Sequence, residues 1–74
     1  MKFIEQNIEG IYLIEPEPYK DQRGMLRRTF CQDEFKSLGL MSEIKQSNVS
    51  ENMKKNTLRG FHYQVAPFGE NKLI

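Results

Sequence analysis

The apolar residues of this chain come in short extended runs, each cut by a turn-former before it can build a long amphipathic helix, and that punctuation restricts it to small β elements. Ile4, Ile8 and Ile11 have helical spacing, but Asn7 and Gly10 interrupt them, and Ile11 to Ile14 is a β-branched and aromatic run that reads as extended chain. Pro16 and Pro18 stop that run, because each lacks a backbone donor and biases the residue before it to extended geometry. Asp21 to Gly24 then reads as a turn and Met25 to Cys31 as the next strand. Asp33 to Gly39 has an Asp near its start and a Gly after its end, the brackets of one or two helical turns.

In the second half, Ile44, Gln46, Asn48 and Ser50 share one face of a strand starting at Glu43, while Lys45, Ser47 and Val49 share the other. The first face is polar. It is either a solvated sheet surface or a row of amides lining a cleft. Glu51 to Asn56 is a turn, Thr57 to Val65 is the strongest strand in the chain, and Asn71 to Ile74 begins another. There are no internal repeats, so the reading is a single all-β domain portion over residues 1–74 with one short helix.

Leu, Ile, Val and Phe make up 19 of the 74 residues, above the roughly one-fifth below which disorder is the default. A chain this short nevertheless buries only about 60% of its unfolded surface. Its core is marginal without a staple or a partner. The Lys72-Leu73-Ile74 end carries no turn or polar tail, so the chain is expected to be the first part of a larger domain whose strand edges another chain covers.

Eleven basic against ten acidic residues leave a net charge of +1, which supplies no general attraction to nucleic acid or anionic lipid; any anion must be held by a local cluster. Cys31 is the sole cysteine, so it reads as a small buried hydrophobe rather than half of a disulfide, and one Cys with one His makes no metal site. The apolar run after Lys2 is broken at once by Glu5, Gln6 and Asn7, which defeats a secretory leader, and no run approaches a membrane span. A cytoplasmic protein with neither membrane nor nucleic-acid partner is expected. Arg23, Arg27 and Arg28 form either a basic patch or a solvated strand face.

His62 is the only histidine, and imidazole is the side chain that ordinarily exchanges a proton near neutrality. A structural or surface role is the alternative reading. Arg59 precedes it by three residues and Lys72 follows by ten, while Gln46 and Asn48 lie on the preceding strand. Cations beside an imidazole favour its neutral, proton-accepting form. Such a set suits an anionic substrate with an acidic carbon: Arg23 and Arg59 to pair with phosphates, His62 to remove a proton beside a carbonyl, and Lys72 to stabilise the enolate. Strand alternation would send Arg59 and His62 to opposite faces, but Gly60 permits a bulge that changes the parity. Tyr63, next to His62, falls on the opposite face and is poorly placed as an acid.

The segments Asp21-Gln22-Arg23-Gly24, Gln46-Ser47-Asn48-Val49-Ser50, Leu58-Arg59-Gly60-Phe61-His62-Tyr63-Gln64 and Lys72-Leu73, in that order, resemble the dTDP-4-dehydrorhamnose 3,5-epimerase family over residues 11–74. The resemblance implies a cupin-type β jelly roll that works without metal or other cofactor, as a homodimer formed by β-strand exchange. Its implied substrate is a nucleotide-linked 4-keto-6-deoxy sugar, deprotonated next to the C4 ketone and reprotonated from the other face. His62 matches the base and Lys72 the residue near the enolate oxygen. Arg23 and Arg59 match substrate and phosphate contacts, and Gln46 and Asn48 match further substrate positions. Arg28 stands where many members carry Glu, so that contact does not transfer. The resemblance also implies a Tyr acid and a His-orienting Asp further along than residue 74, so the 74 residues alone are expected to be a poor catalyst.

Overall fold

The computed structural model describes all residues, Met1–Ile74. It divides into two compact units, Met1–Glu43 and Ile44–Ile74.

The first unit opens with β1 (Lys2–Glu5) and β2 (Tyr12–Glu15), an antiparallel pair in the register Lys2↔Glu15, Phe3↔Ile14, Ile4↔Leu13 and Glu5↔Tyr12. Their connection is closed by the Gln6 amide donating to the Ile11 carbonyl at 2.8 Å and the Ile11 amide to the Ile8 carbonyl at 3.1 Å. Burial alternates along β2, with Tyr12 and Ile14 half-buried and Leu13 and Glu15 exposed. Directly opposed residues share a face, so Phe3 and Ile14 lie together on one side of this hairpin.

A second hairpin pairs β3 (Pro18–Asp21) with β4 (Gly24–Arg27), Tyr19 facing Leu26 and Lys20 facing Met25. Pro18 occupies the first strand position, where a missing donor is tolerated. The turn residues Gln22 and Arg23 are set by Asp21, whose Oδ1 accepts the Arg23 amide at 2.8 Å. Gly24 leaves the turn at φ +130°, a conformation that side-chain-bearing residues rarely adopt. The strand expected over Met25–Cys31 ends at Arg27, because its partner has run out: Arg27 faces Pro18, and beyond that lies Pro16 with no amide to donate.

Helix α1 (Gln32–Ser37) follows, with Cys31 in extended geometry as its N-cap. No side chain caps it; Asp33 and Glu34 in the first turn and Lys36 in the last suit the helix dipole instead. At its end the Gly39 amide donates to the Lys36 carbonyl and the Leu40 amide to the Phe35 carbonyl, each at 3.0 Å, with Gly39 at φ +70°. This is the Schellman arrangement that the sequence anticipates at Gly39.

Phe35 is the buried residue of this unit, 5% exposed. The Phe3 ring meets it edge-on, centroids 5.4 Å apart at 81°, and the Phe30 ring tilts against it at 4.8 Å and 59°. Offset and edge-on aromatic pairs of this kind are the favoured ones. The helix is therefore held to the first hairpin by one residue gripped between two others.

In the second unit the chain runs extended and turns without a ladder. Met53 to Asn56 makes the expected turn, with Asn56 at φ +63° and the Thr57 hydroxyl donating to the Lys54 carbonyl at 2.8 Å. A second turn closes from the Phe68 amide to the Val65 carbonyl at 2.8 Å. The strands expected over Glu43–Ser50, Thr57–Val65 and Asn71–Ile74 do not form. A strand is made by the partner that supplies its hydrogen bonds, and none of these segments lies in register with another. Gly60, at φ +130°, also breaks the extended path midway through Thr57–Val65. The ordered elements are thus four strands in two small antiparallel sheets and one short helix, consistent with the all-β reading.

Replacing Phe35 with Ala removes the buried apolar side chain that joins helix to hairpin. The expected cost is about 3–5 kcal/mol, as large as the whole contribution of a core in so small a scaffold, roughly 3–5 kcal/mol. Urea titration followed by far-ultraviolet circular dichroism should lose its cooperative transition in Phe35→Ala; an unchanged midpoint would remove Phe35 from this role.

Candidate active site

Arg23 stands at the tip of the β3–β4 hairpin, and the turn itself aims it. Its Nε and Nη2 donate to Asp21 Oδ2 at 3.1 and 2.7 Å, while Asp21 Oδ1 is taken by the Arg23 amide. Both carboxylate oxygens therefore serve one residue. A guanidinium has five N–H donors, so the pair leaves most of the fork for an anion in solvent. The Asp21 carboxyl is held below its ordinary value of 3.8, first by the Arg23 side-chain hydrogen bond and then by the Arg23 amide. Tyr19, Met25 and Leu26 line an open hollow beside this pair.

Arg28 is committed elsewhere. Its Nη1 donates to Glu34 Oε2 at 3.3 Å, and Glu34 Oε1 receives the Met1 ammonium at 2.7 Å, with Glu17 Oε2 3.6 Å from the same ammonium. The Glu34 carboxyl is lowered mainly by that ammonium, and Arg28 is raised mainly by its hydrogen bond to Glu34. The residue that differs from the family pattern thus works inside the unit, as a tie between the end of β4 and α1.

The second unit carries the other five residues. Gln46 Nε2 donates to Asn48 Oδ1 at 3.3 Å, so the two amides lie on one side of the chain even without a strand. Arg59 and His62 are both exposed. Gly60, between them, has a positive φ, so the chain does not run as a regular strand from one to the other. Lys72 returns across ten residues to place its ammonium 2.7 Å from the His62 carbonyl oxygen and 3.1 Å from Glu70 Oε1. Of the six residues, the structure joins Lys72 to the His62 main chain and Gln46 to Asn48. Arg23 is placed in the first unit.

Two partners escape the sequence reading. Asp21 and Glu70 each hold a cation two residues ahead, and the shared signal is an acid at position i with a base at i+2. No group of three or more His, Cys, Asp or Glu side chains is gathered for a metal ion. No helix is long and apolar enough to cross a membrane.

A sequence model of the dTDP-4-dehydrorhamnose 3,5-epimerase family matches residues 5–74. The chain belongs to that family. Among curated relatives, the dTDP-4-dehydrorhamnose 3,5-epimerase of Shigella flexneri is 35% identical over the whole chain and 41% of its own length, and that of Escherichia coli K12 is 35% identical over the whole chain and 40% of its own. The enzyme of that name from Methanothermobacter thermautotrophicus is 38% identical over 85% of the chain and 34% of its own length. The chain thus spans about two-fifths or less of these relatives. No solved structure matches it significantly.

The Asp21–Arg23 geometry sets a titration. A carboxyl acidified by folding stabilises the turn above its ordinary value, and that contribution is lost as pH falls through the lowered one. The Asp21 side-chain carbon resonance should titrate below 3.8 and move up toward that ordinary value in Arg23→Ala, which removes the largest cause and leaves the amide bond. Titration at the same pH in both proteins would contradict the pairing.

Proposed function

We propose that this chain furnishes the proton-abstracting half of a nucleotide-sugar 3,5-epimerase acting on a dTDP-4-keto-6-deoxy sugar in deoxysugar synthesis. The observation that carries the reading is the family match, which runs over residues 5–74 and so includes all six candidate residues. His62 accepts a proton from the carbon next to the C4 ketone; the C–H pair moves into the carbon framework and the ketone oxygen becomes an enolate oxygen. The Lys72 ammonium meets that charge. An ammonium has three donors; with one on the His62 carbonyl, donors remain for the enolate. Return of a proton to the opposite face from an acid outside these residues inverts the carbon.

Arg23 and Arg59 hold the phosphates, and Gln46 and Asn48 contact the substrate from their shared side. The reading includes a cupin-type jelly roll as the complete fold, a homodimer in which exchanged strands cover open edges, and a cytoplasmic site of action. A second reading, a non-catalytic β module that binds a sugar nucleotide or self-associates, draws support from Leu58, Phe61, Val65 and Phe68, all of them exposed.

Deuterium wash-in separates the two. With a dTDP-4-keto-6-deoxyhexose in D2O, the C3 and C5 protons followed by NMR should exchange, and His62→Asn should slow exchange by about 100- to 10,000-fold, the usual worth of a positioned base. Substrate binding by folded protein without exchange would establish the binding module instead.

A further inference from the structure

Lys72 is the one candidate side chain whose orientation is fixed by two separate groups, and one of them has no part in the chemistry proposed above. The His62 carbonyl is a main-chain acceptor that any sequence would supply. The Glu70 carboxylate, 3.1 Å from the Lys72 ammonium, is a choice of side chain. We infer that Glu70 is a positioning residue for the proposed reaction: the Lys72 ammonium donates to the His62 carbonyl and is held from a second group by its ion pair with Glu70, so that it stays in place for the enolate oxygen.

The argument is one of orientation, not of stability. A lysine ammonium is a compact charge on a flexible four-carbon stem, and its use as an enolate stabiliser depends on being in place before charge develops. One hydrogen bond leaves that group free to swing about its acceptor. The ion pair to Glu70 at 3.1 Å, a contact to a separate group, restricts this freedom. Glu70 and Lys72 side chains are 46% and 38% exposed, and ion pairs at such exposure contribute little to folding. The pair therefore has small structural worth, while its geometric effect falls on the atom nearest the proposed oxyanion. The carboxylate also balances the ammonium in the absence of substrate, so that an anionic sugar nucleotide does not bind Lys72 as a bare cation in an unproductive pose.

This inference rests on the epimerase reading, and two measurements keep their failures apart. The first needs no substrate: the 15N order parameter of the Lys72 ammonium should fall in Glu70→Ala and recover part of the way in Glu70→Gln, which keeps an acceptor oxygen without the charge. An order parameter equal in all three proteins overturns the inference. The second is the exchange assay. Lys72→Ala should slow wash-in by about 100- to 1,000-fold, the loss found on deleting one oxyanion donor. Because Glu70 acts only through Lys72, Glu70→Ala should lose less than that, about tenfold, with substrate affinity unchanged. Glu70→Ala should have no further effect when Lys72 is already Ala. Losses that multiply in the double variant, or a Glu70 effect confined to affinity, overturn the positioning role; exchange indifferent to both His62 and Lys72 overturns the epimerase reading itself.

Discussion

The helix of the first unit and its seat on the β1–β2 hairpin depend on Phe35 being gripped by Phe3 and Phe30. A six-residue helix does not hold itself together, since nucleation is unfavourable and isolated helices of that length do not persist in water. Its two remaining supports are the Gly39–Leu40 closure at one end and the Glu34 ion pairs at the other. Closure fixes where the helix stops; the ion pairs tie it to Arg28, just beyond β4. Only the aromatic contact removes enough apolar surface from water to offset the ordering of the chain. The hairpin that carries Arg23 lies next to this helix in sequence and is linked to it through Arg28 and Glu34. Arg23 itself is placed by its own turn, through Asp21, and the Arg28–Glu34 pair is what links that hairpin to the helix.

The second unit has no such residue. Leu58, Phe61 and Ile74 are fully or almost fully exposed, and the segments with the best strand patterning are the ones that form no ladder. Residues at a turn are chosen by local chemistry, which the sequence displays directly: Asp21 for its amide bond, Gly24 and Gly39 for positive φ, Pro18 for a first strand position. A strand interior is different. Alternation in Ile44 to Ser50 states which side chains share a face and says nothing of what will pair with the backbone. The register of β1 with β2 or of β3 with β4 is fixed by connections of a few residues, and both hairpins form.

The candidate site follows the same division. Its residue types were legible, because a lone His among Arg, Lys, Asn and Gln has few chemical uses. The shared side of Gln46 and Asn48 followed from their spacing, and the break in alternation at Gly60 from the absence of a side chain there. The return of Lys72 to the His62 carbonyl was not legible, since a contact across ten residues is set by the turn after Val65 rather than by any periodicity. Nor was the fate of Arg28. An arginine in an exposed strand gives no sign, from sequence, that a glutamate six residues later will engage it.

Arg23 and Lys72, one in each unit, share a device by which a chain of net charge +1 presents local positive edges. Each cation has a carboxylate two residues before it, Asp21 and Glu70, and each keeps donors beyond those the carboxylate takes. The carboxylates cancel the field at long range, so the chain gains no indiscriminate attraction for polyanions. At contact distance the cancellation fails, because hydrogen bonds are directional and the spare N–H groups present positive edges to whatever docks there. Selectivity then comes from matching those edges rather than from total charge. Arg59, exposed and with Thr57 rather than a carboxylate two residues before it, lacks this device, so its charge is not offset by an acid two residues before it.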